Sequence, residues 1–528
     1  MKASVRRYPV GIQSFEEIRS KHFLYVDKTE LVYDLVNMAK YYFINRPRRF
    51  GKSLLLSTLA AYFEGRRDLF EGLAISRLEK EWKEYPVLRF DFSTGRYDTA
   101  EILSRDINTK LLEYERLYGM DQADEPTNVR LRLLIREVYR QTGRQVVVLV
   151  DEYDSALLYT ADRPELQHSV RVMMRNLFAP LKEADPLLRF VLLTGITKFS
   201  QMSVFSELNN LLNISMLPQY DALCGITEEE LTTQMRPDIE RFAALRGQTF
   251  EQAHADLKRM YDGYHFSYGP TEVYNPFSLL KCFLTGEMKG YWFASATPTF
   301  LIKALRGRGE DLVDVDGVVR QDTAFDIPVE GEVVDPIPLL FQSGYLTVKR
   351  ADLLDDERFY TLGFPNKEVK QGMARSMLSY LQNEEVKNQS AIGVAYARFV
   401  VTDDFPAFVE ALKRFFAAYP YNINNNERHY QGVLYTLFAS FGADVSAEHV
   451  TAMGRVDIVL RMPKTIYVVE LKYDRSAEEG MCQVVNRRYA EALAQDGRPV
   501  RRVALNFSAE ERNISDWEEN NGFHEFNE

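Results

Sequence analysis

Cysteine is almost missing: Cys224, Cys282 and Cys482 are the only three in 528 residues, widely separated and odd in number. Neither a disulfide framework nor a zinc-ligand spacing can be built from them, which suits a reducing compartment. Long apolar runs are missing too, since nowhere do eighteen apolar residues follow one another. The opening Met1-Lys2-Ala3-Ser4-Val5-Arg6-Arg7-Tyr8 has no apolar stretch of the secretory kind. A cytoplasmic chain without membrane attachment is expected. An excess of basic charge is lacking as well. The 65 Lys and Arg face 76 Asp and Glu, for a net charge of -11. That argues against a nonspecific nucleic-acid coat of the histone kind, but leaves room for a local basic cleft. No repeat, coiled coil or low-complexity tract is visible. The remaining composition, 46% apolar and 27% charged, is that of a globular protein too long for one core, so two to four domains are expected.

One stretch organises the chain. Tyr41-Tyr42-Phe43-Ile44 reads as a short buried strand, Arg46-Pro47-Arg48-Arg49-Phe50-Gly51-Lys52-Ser53 as a basic turn, and Leu54-Leu55-Leu56-Ser57-Thr58-Leu59 as a helix. Strand, turn, Gly-Lys-Ser and helix are the context of a phosphate-binding P-loop. Backbone N–H groups and the helix N-terminus then hold phosphate, the Lys neutralises it, and the Ser hydroxyl reaches Mg²⁺. The pattern G-x-x-x-x-G-K-[ST] is incomplete, because Arg46 occupies the first glycine position. Arg48 and Arg49, beside Phe50, can add phosphate contacts of their own.

A second strand is expected around Val87-Leu88-Arg89-Phe90-Asp91, and a long helical region over residues 99–141. Val146-Val147-Val148-Leu149-Val150 then reads as a strand covered on both faces, as in parallel sheets. It ends in Asp151-Glu152. Two adjacent carboxylates at the tip of a buried strand are costly to desolvate unless they meet a cation. Asp151 is therefore the expected Mg²⁺-side acid, with Ser53, and Glu152 the expected general base. Another buried strand, residues 189–195, leads to Thr194, Thr197 and Lys198, any of which can sense a terminal phosphate.

From residue 218 the chain is read as a helical, winged-helix-like middle region to residue 369, then a helical connector over 370–418. Tyr419-Pro420-Tyr421 and Asn422, Asn424, Asn425 and Asn426 mark the last boundary. The acidic runs at 310–316 and 352–357 are expected as solvated loops. The aromatics Tyr264, His265, Phe266 and Trp292 are expected in the core rather than stacked on a base.

The C-terminal part carries a second constellation. Gly454-Arg455-Val456-Asp457-Ile458-Val459-Leu460 and Thr465-Ile466-Tyr467-Val468-Val469-Glu470-Leu471-Lys472 read as a hairpin. Glu470 and Lys472, two apart, share one face of their strand. Glu470 follows Asp457 by thirteen positions, enough for a hairpin that lets the two acids meet. Two acids for a divalent cation and an amine that orients water or stabilises a scissile phosphate make the D…E-x-K pattern of PD-(D/E)XK nucleases. A helix before it, over 427–441, offers Glu427, with Glu448 on the next strand the weaker candidate. A helix after it offers Gln483. Arg455, Arg475, Arg487 and Arg488 can follow a phosphate backbone.

With both constellations located, the chain resembles a bacterial family that joins an AAA-ATPase-like domain to a C-terminal PD-(D/E)XK nuclease-superfamily domain. The resemblance runs from Tyr8-Pro9-Val10-Gly11-Ile12 through the Arg46 to Ser53 loop, Val150-Asp151-Glu152-Tyr153-Asp154, Tyr274-Asn275-Pro276-Phe277 and Gly344-Tyr345 to Glu470-Leu471-Lys472. It implies an α/β fold in four parts. Residues 1–217 form an AAA-like P-loop parallel sheet, 218–369 a lid, 370–418 a connector, and 419–528 a restriction-endonuclease-like domain. It also implies ATP at Lys52, Ser53 and Asp151, and a nuclease-like site around Asp457, Glu470 and Lys472. DNA is the expected partner, and homo-oligomers are compatible with an AAA-like fold. The competing expectation is an ATP-switched binding module with a catalytically silent nuclease fold.

Overall fold

The computed structural model describes residues 6–122, 124–198, 210–295, 299–325, 335–381, 387–418, 426–451, 454–489 and 493–520. The chain divides into two compact units, Met1–Ser295 with Val319–Asn366, and Ala296–Val318 with Lys367–Glu528.

The first unit is built on five strands: β1 (Tyr41–Asn45), β2 (Val87–Asp91), β3 (Val146–Asp151), β4 (Leu188–Gly195) and β5 (Leu212–Asn213). Their order is β2-β3-β4-β1-β5, and every neighbouring pair is parallel. Parallel neighbours need crossovers, supplied by helices such as Lys52–Phe63, Ala100–Leu117, Thr127–Thr142 and Pro164–Phe178. All six residues of β3 are buried, as its run of aliphatic residues requires when both faces are covered. Because the strands run one way, the ends of β1, β3 and β4 open on one edge of the sheet. Asn45 pairs with Gly195 there, and Asp151 with Asp91. A crevice at the carboxyl ends of such strands is where this architecture binds ligands.

Beyond β5 come the helices Glu228–Gln234, Arg236–Arg246, Phe250–Tyr261 and Pro276–Thr285. Thr227 and Thr249 close reciprocal capping boxes with Glu230 and Gln252. These helices share a core of Leu231, Ile239, Phe242, Leu257 and Phe283, onto which the N-terminal Tyr8 folds. A short pair, β6 (Ile226–Thr227) with β7 (Val273–Tyr274), ties the group together. The same unit also holds an antiparallel sheet of β8 (Val319–Gln321), β9 (Thr347–Leu354) and β10 (Glu357–Gly363), ordered β8-β10-β9. The acidic run at 352–357 is its exposed hairpin, with Asp355 and Asp356 both at positive φ.

The second unit holds a five-stranded mixed sheet of β11 (Asp444–Thr451), β12 (Gly454–Arg461), β13 (Ile466–Tyr473), β14 (Val500–Ser508) and β15 (Asn513–Asn520), in sequential order. Only β13 and β14 run parallel, and the helix Ala477–Asn486 crosses between them. β15 extends the expected pattern by one antiparallel edge strand. The helix Glu427–Ser440 is buried from His429 to Ser440. The helices Lys367–Leu381, Lys387–Thr402 and Phe405–Ala417 belong to this unit too.

The acidic run near Asp311 is not a solvated loop. It packs in this unit on the helix Glu427–Ser440, where Arg428 pairs with Asp314 and the Tyr435 hydroxyl donates to Asp316 at 2.6 Å. Lys370 adds a 3.2 Å ion pair to Asp316. The missing cue was the partner set, because Arg428, Tyr435 and Lys370 are distant in sequence. Of the expected boundary at 419–426, only Asn426 lies among the described residues, where it caps the helix by accepting from the His429 N–H at 2.8 Å. Among the described residues no helix is long and apolar enough to cross a membrane.

Candidate functional site

The turn after β1 is shaped by two left-handed residues, Arg49 at φ +67° and Gly51 at φ +97°. Gly51 occupies the cap position and opens the helix Lys52–Phe63, so a glycine is required there. The helix N-terminus, with its unpaired N–H groups, faces the turn. Lys52 is buried, with its ammonium donating to the carbonyls of Arg46 at 2.9 Å and Pro47 at 3.3 Å. It also sits 3.2 Å from the Glu152 carboxylate. The lysine of the turn and the acid at the end of β3 are thus neighbours in space.

Thr194, on the intervening β4, donates its hydroxyl to Asp151 at 2.7 Å. Burial pushes the Asp151 carboxyl above its ordinary value, while hydrogen bonds from Ser53 and Thr194 pull it back. Glu152 stands at φ +51°, a backbone strained for a non-glycine residue. Three residues on from Asp151, Asp154 is fully buried and accepts from the N–H groups of Ile196 and Thr197 and from the Thr197 hydroxyl. Burial, then the charge of Glu152, pushes Asp154 up to about 6. Of the three sensor candidates, then, Thr194 touches Asp151 and Thr197 is spent on Asp154. The Lys198 main chain is bonded to Gln342 at 2.6 Å.

Over this floor lies a cavity of about 400 Å³, bordered by Gln13, Arg48, Arg49, Ser53, Glu152 and Phe277. An apolar recess of about 100 Å³ adjoins Gly51, with walls that include Leu24, Val26, Leu54, Cys224 and Ile226. The loop is braced from its other side. The Trp292 indole donates to the Arg48 carbonyl at 2.9 Å, and Phe50 packs on Tyr264 with ring centroids 4.7 Å apart. A Cβ on Gly344 would fall 2.5 Å from Pro47, so only glycine lets that segment approach. Tyr264, Phe266 and Trp292 are core residues, as expected.

In the second unit the β12–β13 ladder ends where Ile458 pairs with Val469, and Asp457 and Glu470 are the next residues on the two strands. The Leu471 N–H donates to Asp457 at 2.7 Å. Lys472 binds Glu470 at 2.9 Å, and both are nearly fully buried. The other Glu470 oxygen is buried without a hydrogen-bond partner. Burial, then Glu470, pushes Asp457 up to about 7. Burial likewise raises Glu470, and Lys472 opposes the shift. Glu427, at the start of its helix, adds charge to both acids. Glu448 instead pairs with Arg428 at 3.2 Å and accepts from Gln431 at 2.9 Å. Gly480 lets the following helix close on this site, since its Cβ would stand 3.3 Å from the Lys472 Cγ. Gln483, three positions on, shares that helical face. Among the described residues no group of three or more His, Cys, Asp or Glu forms a ready-made metal cluster.

A family model described as "Predicted AAA-ATPase" matches residues 9–205. Another, described as "PD-(D/E)XK nuclease superfamily", matches residues 425–517. A protein of Azotobacter chroococcum mcd 1, described as "Uncharacterized protein in vnfD 5'region", is 33% identical over 520 residues, covering 97% of this chain and 98% of that protein. The chain belongs to this family of predicted AAA-ATPases with a PD-(D/E)XK nuclease-superfamily domain. Within the AAA-ATPase part, Lys52, Ser53, Asp151, Glu152 and Thr194 are brought together, with Arg48 and Arg49 on the cavity wall. Within the PD-(D/E)XK part, Asp457, Glu470 and Lys472 converge, with Glu427 in electrostatic reach. Sequence reasoning assigned nothing to Asp154, Gln431 or Gly480. Only the first carried a cue, its place one turn beyond the Asp151-Glu152 pair.

Proposed function

We propose that the chain is an ATP-hydrolysing switch joined to a divalent-cation-dependent nuclease that acts on DNA. The nucleotide half rests on one observation, the 3.2 Å approach of Lys52 to Glu152 on the floor of a cavity that is large enough for a triphosphate. Lys52, Arg48 and Arg49 would bind phosphate oxygens. The apolar recess beside Gly51 suits the base. Glu152 would take a proton from the attacking water, and Thr194 would sense the terminal phosphate through Asp151.

Ser53 and Asp151 offer oxygen donors only, which fits Mg²⁺. In the other half, the unpartnered Glu470 oxygen and the strained charge balance of Asp457 fit a divalent cation as well. When bound, such an ion supplies Lewis acidity at a phosphoryl oxygen. Lys472 would steady charge on a scissile phosphate, with Glu427 and Gln483 contributing from the neighbouring helices. A reducing, cytoplasmic location agrees with the low number and wide separation of Cys224, Cys282 and Cys482, and assembly into homo-oligomers agrees with AAA-like architecture.

That no group of three or more His, Cys, Asp or Glu among the described residues is closed up as a ready-made metal cluster favours one competing reading, a nuclease fold that grips nucleic acid without cutting it. Calorimetric titration of Mg²⁺ into the chain, before and after Glu470→Gln, separates the two. The nuclease reading also expects cleavage of DNA that disappears in Asp457→Ala. For the nucleotide half, Lys52→Ala is expected to weaken ATP binding by roughly 100-fold, the scale of a lost charge-assisted phosphate contact. Unchanged affinity in that variant would remove the site.

A further inference from the structure

Where the P-loop pattern asks for its first glycine, the chain has Arg46, and the structure makes extensive use of it. The residue is 1% exposed. One terminal nitrogen donates to the carbonyls of Asn45 at 3.0 Å and Ser215 at 2.7 Å, and the other to the carbonyl of Tyr220 at 3.2 Å. Beneath it lies the Phe266 ring, 4.2 Å from the guanidinium carbon. The side chain therefore points away from the phosphate cavity, into the segment that follows β5. Its partners are carbonyls and a ring face rather than a carboxylate. Burying a cation on such partners costs several kcal/mol unless its hydrogen bonds are well made, and a loop that opened with glycine would carry no such cost.

The Arg46 main chain is equally committed. Its N–H donates to Gly195 at the end of β4, at 3.2 Å. Its carbonyl accepts the Lys52 ammonium at 2.9 Å. One residue thus joins the end of β4 (next to Thr194), the 215–220 segment and the lysine on which phosphate binding depends.

We infer that Arg46 is a positioning residue of the nucleotide site: its buried guanidinium pins the carbonyl that holds Lys52, and so sets where the Lys52 ammonium waits for phosphate. The inference rests on the nucleotide reading proposed above. It reverses the usual expectation from the motif, since a change that completes G-x-x-x-x-G-K-[ST] should damage the site. Shape and fork geometry matter here as well as charge, because a lysine ammonium cannot reach separate carbonyls with a rigid fork.

The test is calorimetric titration of ATP with Mg²⁺ into the full chain, alongside circular dichroism and thermal melting. Arg46→Gly is expected to weaken ATP affinity about tenfold or more, and Arg46→Lys by a smaller factor, the scale of lost charged hydrogen bonds. Phe266→Leu, which keeps Arg46 but removes the ring face, should shift affinity in the same direction. It covers the case in which Arg46→Gly fails to fold. If Arg46→Gly or Arg46→Lys melts earlier yet binds ATP like the unaltered chain, Arg46 is a core residue only and the inference is overturned. Lys52→Ala serves as the reference. Loss of binding there beside intact Arg46 variants defeats this inference alone, whereas an unaltered chain that binds no ATP defeats both it and the nucleotide reading.

Discussion

Glu152 occupies a backbone region that costs a non-glycine residue on the order of 1–3 kcal/mol, and such strain gathers at working sites. Here it turns the carboxylate off the end of β3 toward Lys52. Asp457 carries a different tension. Burial and Glu470 hold its carboxyl at about 7, against an ordinary value near ~4. The folded chain therefore keeps a proton that the unfolded chain releases across roughly pH 4 to 7, so this group's contribution to stability falls as pH rises through that window and levels off above it. Without divalent cations, the melting temperature is expected to drop over this range, and Asp457→Asn to flatten the slope. Cation affinity, read by calorimetry, should climb over the same range because the ion needs the charged form. An equal slope in Asp457→Asn would place the titration elsewhere. The acids were legible in the sequence because strand tips and a two-residue spacing fix where they point. Arg46 was not, since its carbonyl partners at 215 and 220 leave no mark on side-chain patterns.

Elements were legible where periodicity was strong. The aliphatic run of β3 and the hairpin of β12 and β13 stand where the sequence puts them. β5, two residues long, and β15, with its charged Asp516, Glu518 and Glu519, lack an apolar signature and owe their pairing to tertiary contacts. The helix Ala477–Asn486 shows how closely an element can be fitted to a site. At Gly480 even a methyl would stand 3.1 Å from Ala504 and 3.3 Å from Lys472. Gly480→Leu is expected to cost about 1–3 kcal/mol by overpacking, read as a lower urea midpoint. Cleavage should fall with it, since the displaced helix no longer backs Glu470 and Lys472. A stable variant with full cleavage would show that the helix is not needed to hold them.

At the scale of the molecule, chain order and compact unit do not coincide. The segment Ala296–Val318 leaves the first unit and packs within the second, where Asp314 and Asp316 bind Arg428, Lys370 and Tyr435. Composition could not reveal this, because an acidic run reads the same whether it meets water or three distant partners. The net charge of -11 likewise says nothing about the local cations Lys52, Arg48 and Arg49 gathered at one cavity. The central claim is that a triphosphate is hydrolysed there under the control of Glu152, in a chain that answers to DNA. The direct measurement is the ATPase rate of the full chain with Mg²⁺, with and without duplex DNA, beside Glu152→Gln. The account predicts turnover that DNA changes and that falls by about 10²–10⁴-fold in Glu152→Gln. A rate no higher than that of the variant, with DNA or without it, would contradict it.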